Sequence, residues 1–499
     1  MAALTDNGLK NSSFITHHSS ISIGTDIATA ATWLAAGQCV GIPTETVYGL
    51  AANALDGAAV AKIFSVKDRP AFDPLIVHIP NATAAVQYAA YIPLVAQRLM
   101  EAFWPGPLTL LLPKRDIIPD LVTSGLPRVG LRVPAHPLTL ALLNAIPFPL
   151  AAPSANPFGY ISPTTVEHVV AQLGDKIPYI LDGGPCQVGV ESTIIGFDEE
   201  DCPVVYRFGG LSLETLEAVC GPIRMAPDQS SNPAAPGMLA SHYAPRKRLY
   251  LGDISQLLPS FSGKRVALLT FGNQSVVQPV ARIENLSEQA DFSVAAQRLF
   301  AALRALDADP DIDLILAEPL PEAGLGRAIN DRLRRAAAVD TTRIWDVLDT
   351  VNDPEIPVLS VIDLGIVRAV QVDSEGRLEV LITPTYSGCP AMRVIEWSIL
   401  AAVQGLGFAD AQVRTILQPA WTTDWMTEAG RQKLREYGIA PPHQKARTER
   451  LLFEAPPTAA CPHCGDKNTE QLSEFGSTAC KSLFRCKNCL EPFDYFRCH

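Results

Sequence analysis

Two cysteine pairs near the C-terminus constrain the fold of this chain more than any other feature. Cys461-Pro-His-Cys464 and Cys486-Lys-Asn-Cys489 stand about twenty residues apart. Each C-x-x-C turn can present two thiolates to one ion, and four thiolates at this spacing suit a tetrahedral Zn2+ site on a small ribbon. Six of the 11 cysteines fall in the last 39 residues. A secreted disulfide framework would spread them, so the clustering points to metal and to a reducing cytoplasm. Cys480, Cys498 and His499 lie in the same stretch. They offer ligand exchange or a second site; a free thiol pair and an exposed terminus are the simpler reading.

The rest of the chain is too long for one core. At roughly 100–200 residues per domain, 499 residues imply about three or four domains. Hydrophobic residues at 47% and charged residues at 18% suit packed globular domains. A net charge of -12 argues against a protein that mainly coats nucleic acid, so any RNA contact is local or made through another protein. The first twenty residues carry no basic region followed by an apolar core, so no signal peptide is expected. No apolar run approaches the roughly 18 residues of a membrane span, so no membrane partner is expected. A cytoplasmic location follows from these readings.

The predicted organisation is α/β and multidomain. Residues 1–20 are polar and read as a disordered tail. From 21 to 223, short β-rich runs such as CVGIPTETVYGL, PLIVHI and ESTIIGF alternate with helical stretches. Residues 224–246, rich in Pro, Ser, Asn and Gly, read as a linker. A second α/β unit spans 247–338. In it KRVALLTFG and DLILAEPLP are strands, and Ala295, Leu299, Leu303 and Leu306 share one helix face. A third unit, 343–442, alternates Leu378, Val380 and Ile382 along a half-buried strand and ends one helix at Gly438. Residues 443–460 read as a linker and 461–499 as the ribbon.

No G-x-x-x-x-G-K-[ST] sequence is present, so the first unit is not a P-loop nucleotide site. Gly324-Leu-Gly326 lacks the third glycine and the preceding strand of a dinucleotide loop. Basic and hydroxyl residues instead gather between strand patterns. Lys67 and Arg69 lie two apart, and Arg128 and Arg132 four apart. Ser154 and Asn156 share APSAN, Ser192 sits in GVESTIIGF, and Arg207 follows VVY. Phosphoryl or adenylyl transfer needs this inventory: fixed cations over phosphate oxygens, with hydroxyl and amide donors. Taken singly, each is more often a surface charge or a turn former.

The order and wording of PTETVYGL, KIFSVKDRP, DPLIVHI, FWPGPLTLLL, GLRVP, APSAN, GVESTI, SHYAP and GLGRAINDRLRRAA resemble the YrdC-like threonylcarbamoyl-AMP synthases over about residues 21–338. The resemblance implies a twisted YrdC-like α/β domain followed by a small Rossmann-like domain. The implied substrates are L-threonine, bicarbonate and ATP with Mg2+, and the implied partners are tRNA threonylcarbamoyl-transfer proteins. By the resemblance, Thr46, His78, Arg132, Ala152 and Ser192 hold threonine, with Arg132 gripping its carboxylate through two parallel hydrogen bonds. Lys67, Arg69, Asp73, Arg128, Ser154, Asn156, Ser162, Arg207 and Tyr243 hold ATP, and Lys67 and Arg69 are the catalytic cations. Lys67 and Arg69 are expected to be solvated in the empty site, so that alanine there removes activity and spares the fold. Asp73 near a triphosphate makes sense through a metal or a sugar hydroxyl; Arg128 either adds positive charge or points outward; His78 is otherwise a satisfied core histidine. Residues 236–245 are expected to act as a lid.

In the third unit, Cys389 precedes a helix by one or two residues, with Pro390 suited to the first helical position. A helix start favours thiolate; a buried inert cysteine is the alternative. DPEIPVLSVIDLGIV and TPTYSGCP resemble the small α+β iron–sulfur assembly family, which implies iron or a transient cluster at Cys389. The whole stretch from Ile344 to His499, with PAWTTDWMTEAGR and EPFDYFRCH, resembles the PaaD-like family of the bacterial phenylacetyl-CoA epoxidase system. The resemblance implies an accessory role toward that oxygenase's metal centres, with the epoxidase subunits as partners. The chain thus reads as a fusion, against two rivals: an RNA-binding module, or a scaffold whose synthase domain is inactive.

Overall fold

The structure is a computed structural model. It describes residues 21–70, 72–226, 235–239, 241–273, 279–338, 341–372, 377–386, 389–406, 408, 410–442, 459–476, 478 and 480–496. The expected tail 1–20, most of the linker 443–460, and Cys498 and His499 lie outside the described residues. The chain divides into two compact units, one of Met1–Pro245 with Leu249–Ala338 and one of Arg246–Arg248 with Val339–His499.

The first unit is built on an eleven-stranded mixed sheet. Its strands are β1 (Ser22–Gly24), β2 (Val40–Ile42), β3 (Gly49–Asn53), β4 (Ile76–His78), β5 (Leu108–Pro113), β6 (Arg128–Arg132), β7 (Leu150–Ala151), β8 (Tyr179–Leu181), β9 (Thr193–Phe197), β10 (Pro203–Arg207) and β11 (Arg224–Met225). They lie in the order β1-β8-β2-β3-β7-β4-β6-β5-β9-β10-β11. β5 and β9 are apolar almost throughout and buried on both faces, which central strands require. The helix Gly57–Lys67 starts on Asp56, whose carboxylate accepts from the Ala58 and Ala59 amides. It ends with Asp68 left-handed at φ 53°, so Lys67 closes the last turn and the Arg69 amide returns to the Phe64 carbonyl.

The expected second α/β domain packs within the same unit. Val266–Thr270 pairs in parallel with Arg282–Asn285 on one side and Leu314–Ala317 on the other. The helix Phe292–Ala308 buries Ala295, Leu299, Leu303 and Leu306 together, as their spacing predicts. Gly326 opens the next helix because a Cβ there would lie 2.1 Å from the Pro321 carbonyl oxygen. That gives Gly324–Gly326 a packing role in place of a cofactor loop.

In the second unit, Leu378–Ile382 pairs antiparallel with Val367–Val372 and parallel with Gln412–Thr415, and Leu378, Val380 and Ile382 all face the core. The helix Met392–Gly405 packs Ile395, Ile399 and Val403 against it. The helix Glu428–Glu436 gives way at Gly438, whose φ is 86°. The ribbon strands Thr469–Ser473, Lys481–Cys486 and Pro492–Phe496 are antiparallel. Ile439–Ala440 then joins Pro492–Phe496 in parallel. Cys480 and Phe496 enter the same apolar core as Ile344 and Trp421. The ribbon is therefore no separate tail; it completes the core of the region before it.

Candidate functional site

A cavity in the first unit opens where the ends of several strands of the large sheet meet the 235–243 segment. It takes in roughly 500 Å³, counting the open solvent at its mouth. Nine sequence-predicted residues line it: Thr46, Arg69, His78, Arg132, Ala152, Ser154, Ser192, Arg207 and Tyr243. The register explains part of this grouping. β4 and β6 pair in parallel with His78 directly opposite Arg132, so the two strand ends deliver both side chains together. β9 and β10 are antiparallel, which brings Ser192, just before β9, beside Arg207 at the end of β10.

Arg132 is buried and already partnered. Its Nη2 donates to Glu45 Oε1 at 2.6 Å and to Thr46 Oγ1 at 3.0 Å, while Glu45 Oε2 accepts the Ala135 amide at 2.9 Å. Among the described residues Nη1 has no partner. The fork expected for a substrate carboxylate is thus half used by Glu45. Arg207 differs. Its donors go to the Ser192 carbonyl and hydroxyl and to the Pro236 carbonyl, and among the described residues no carboxylate lies within ion-pair distance. A guanidinium facing a cavity with only neutral partners is ready to accept an anion.

Lys67 corrects the expectation of a solvated cation. It is 1% exposed, and Nζ donates to the Ser154 and Asn156 carbonyls, so it ties the APSAN loop from behind and does not line the cavity. Burial, with Arg69 nearby, holds its ammonium well below the usual lysine range. Arg69 is also buried. It donates to the Asp73 and Pro74 carbonyls, and its Nη2 lies 2.8 Å from Asp73 Oδ2. Asp73 is fully buried, and burial raises its carboxyl pKa against the pull of Arg69 and Lys67. Its ion-pair partner is Arg69, and neither of its carboxylate oxygens has a hydrogen-bond partner among the described residues.

Three further predicted ATP residues stand outside the cavity lining. Arg128 donates to the Tyr206 hydroxyl at 3.0 Å and lies over its ring. Asn156 Nδ2 donates to the Pro157 and Tyr160 carbonyls. Ser162 Oγ donates to Glu191 Oε1 at 2.6 Å.

Sequence reasoning missed Glu191, Glu45, His242 and Arg332. Glu191 lines the cavity, and its Oε2 accepts Arg332 Nη2 at 2.9 Å. The acidic residues inside PTETVYGL and GVESTI were the available signal: charges within apolar strand motifs require partners. His242 and His78 both line the cavity with an unpartnered Nδ1, and burial pushes each imidazole down to about 3, so both are neutral. Tyr243 is 1% exposed with φ 61°; its ring stacks on Phe300 and lies beside the His242 ring.

The second unit holds one metal-competent cluster among the described residues, Cys461, Cys464, Cys486 and Cys489. The Cys461–Cys489 sulfurs are 3.7 Å apart and the Cys464–Cys486 sulfurs 3.6 Å. A tetrahedron with Zn–S of about 2.3 Å has edges of about 3.8 Å, so the four thiols fit Zn2+, and the gaps are far too wide for disulfides. Cys480 stands apart from this cluster, buried and bonded to Glu355 Oε2 at 3.4 Å. Cys389 is half-buried beside Tyr386, whose phenol is pushed up to about 12 by burial and then by that thiol. The helix after it begins at Met392 with Ala391 as N-cap, so Pro390 precedes the cap and does not occupy the first helical position.

Buried guanidiniums and neutral imidazoles around one cavity of a mixed sheet define an anion-handling α/β enzyme. Comparison with known proteins makes this specific. Residues 32–209 match a family model described as Telomere recombination, and residues 211–338 one described as Threonylcarbamoyl-AMP synthase, C-terminal domain. Residues 341–414 match Iron-sulfur cluster assembly protein, and residues 445–497 match PaaD zinc beta ribbon domain. The threonylcarbamoyl-AMP synthase of Bacillus subtilis (strain 168) is 42% identical over 322 residues, 62% of this chain and 92% of that protein. The crystal structure of P. abyssi Sua5 complexed with L-threonine aligns with a TM-score of 0.59 at 41% identity, covering 64% of this chain and 97% of that one. An Escherichia coli (strain K12) protein named as a component of 1,2-phenylacetyl-CoA epoxidase is 49% identical over 167 residues, 34% of this chain and 98% of that protein. The chain belongs to the threonylcarbamoyl-AMP synthase family over its first unit and to the PaaD-like family of epoxidase components over its second.

Proposed function

We propose that the first unit converts L-threonine, bicarbonate and ATP to threonylcarbamoyl-adenylate, with release of pyrophosphate, for the N6-threonylcarbamoyladenosine modification of tRNA. The threonine amine and bicarbonate give a carbamate and water. A carbamate oxygen then attacks the α-phosphorus of ATP, and the bond to the β-phosphate oxygen breaks. Two anions must meet, so neutralisation and positioning dominate the catalysis. The observation that carries this reading is Arg207, a cavity-lining guanidinium with no carboxylate partner among the described residues, in the same cavity as Arg132, whose Nη1 has no partner among them.

In this reading Arg132 Nη1, Thr46 and Ser192 take the threonine carboxylate and hydroxyl, with His78 and Ala152 walling that end. Arg69, Ser154 and Arg207 face the phosphates. Lys67, Asn156, Asp73 and Ser162 act from behind by fixing the APSAN loop, Arg69 and Glu191. Mg2+ travels with ATP, since the nearby carboxylates Asp73, Glu45 and Glu191 are engaged by arginines. Pro236 and Tyr243 close the cavity over Arg207 as a lid. The second unit holds Zn2+ on its four cysteines. It serves the metal centres of phenylacetyl-CoA epoxidase, with iron or a cluster passing by Cys389. Both units work in the cytoplasm, the first alongside proteins that pass the threonylcarbamoyl group to tRNA.

The test is pyrophosphate release from ATP by the full chain, with and without L-threonine and bicarbonate. Release that requires both supports the reading. No release from folded, zinc-loaded protein refutes it and leaves the scaffold reading; tight, salt-sensitive RNA binding without release would favour the RNA-binding one.

A further inference from the structure

We propose that Arg332, from the second α/β domain, is a positioning residue of the synthase site; this rests on the synthase reading above. Arg332 does not line the cavity, yet it is fully buried and touches two lining residues, Glu191 and Tyr243, and the Phe208 carbonyl next to Arg207. Its Nε and Nη2 form a fork on Glu191 Oε2, at 3.1 and 2.9 Å. Its Nη1 donates to the Phe208 carbonyl. Its guanidinium carbon lies 5.3 Å from the centre of the Tyr243 ring.

Glu191 directly precedes Ser192, and Phe208 directly follows Arg207. The antiparallel register of β9 and β10 sets these two segments side by side, so one guanidinium clamps both at the residues next to the reacting groups. The packing there leaves little slack: a Cβ on Gly209 would lie 2.3 Å from the Glu191 carbonyl oxygen. Glu191 in turn fixes Ser162 through Oε1. A lysine cannot make this contact set, because one ammonium cannot hold a carboxylate and a carbonyl on separate segments with a planar fork. The synthase site of this chain is thus incomplete without its second domain, for a reason located in one side chain.

The experiment uses the full chain carrying Arg332→Lys, since Arg332→Met strands the buried Glu191 charge and endangers folding. A displacement of Ser192 and Arg207 by a fraction of an ångström to an ångström predicts a fall in kcat of about 10²-fold, with KM for threonine and ATP changed far less. Ile315→Val, in the core of the second domain, is the control for general loosening. A loss confined to Arg332→Lys while Ile315→Val keeps wild-type kcat at a comparable melting temperature supports the inference. Wild-type kcat in Arg332→Lys overturns it, as does an equal loss in Ile315→Val. If the wild-type chain itself releases no pyrophosphate, the synthase reading fails, an outcome distinct from either.

Discussion

Acidification between pH 7 and pH 5 tests the electrostatic account of the cavity most directly. His78 and His242 are 2% and 6% exposed, each with an unpartnered Nδ1, and burial holds each at about 3. In the unfolded chain both return to about 6.5. The folded values are depressed, so between these limits the unfolded chain binds more protons. The stability from keeping the rings neutral is complete above pH 6.5 and is lost as pH falls toward 3. At pH 5 the unfolded chain is favoured by 1.5 pH units at 1.36 kcal/mol each, about 2 kcal/mol per histidine and about 4 kcal/mol for the pair. That is a large part of a domain's usual 5–15 kcal/mol. The assay is urea unfolding at pH 7 and pH 5, followed by amide exchange in peptides from residues 21–338. Wild type is compared with the His78→Gln, His242→Gln double variant. Carboxylates and the remaining histidines contribute to both proteins and cancel. The wild type should lose about 4 kcal/mol more than the variant over this interval. Equal losses would show that the imidazoles are not held neutral by burial, and the argument from desolvation would fall.

Two further outcomes follow from the geometry. Lys67→Met should lower stability by about 3 kcal/mol, because it leaves the Ser154 and Asn156 carbonyls without their buried donor. A thermal melt checks this, and an unchanged melt with lost turnover would return Lys67 to direct chemistry. Cys461→Ser should release the zinc, measured as metal per chain with a colorimetric chelator. Amide exchange should then rise at Ile439–Ala440 and near Trp421 as well as in the ribbon strands. Retention of a full equivalent of zinc would show that other ligands hold the metal.

Local pattern in the sequence determined the elements: the face of Ala295, Leu299, Leu303 and Leu306, the alternation of Leu378, Val380 and Ile382, and the stop at Gly438. Spacing alone also determined the Cys461, Cys464, Cys486 and Cys489 set, because a knuckle is a local turn. The tertiary structure decided the partners of the charges. Lys67 and Arg69 read as free cations because each lies in a loop-like motif rich in polar residues. Their burial comes from the Ser154–Asn156 loop, roughly ninety residues away, and from the Asp73–Pro74 turn. Glu45 with Arg132, and Glu191 with Arg332, are ion pairs separated by 87 and 141 residues, set by strand order and by domain packing. The pairing of Ile439–Ala440 with the ribbon is likewise formed across a long connection. Periodicity reports which face of an element is apolar, but an ion pair is fixed by where two elements meet. Desolvation makes such meetings decisive, since a buried charge is tolerated only where the fold supplies its counterpart.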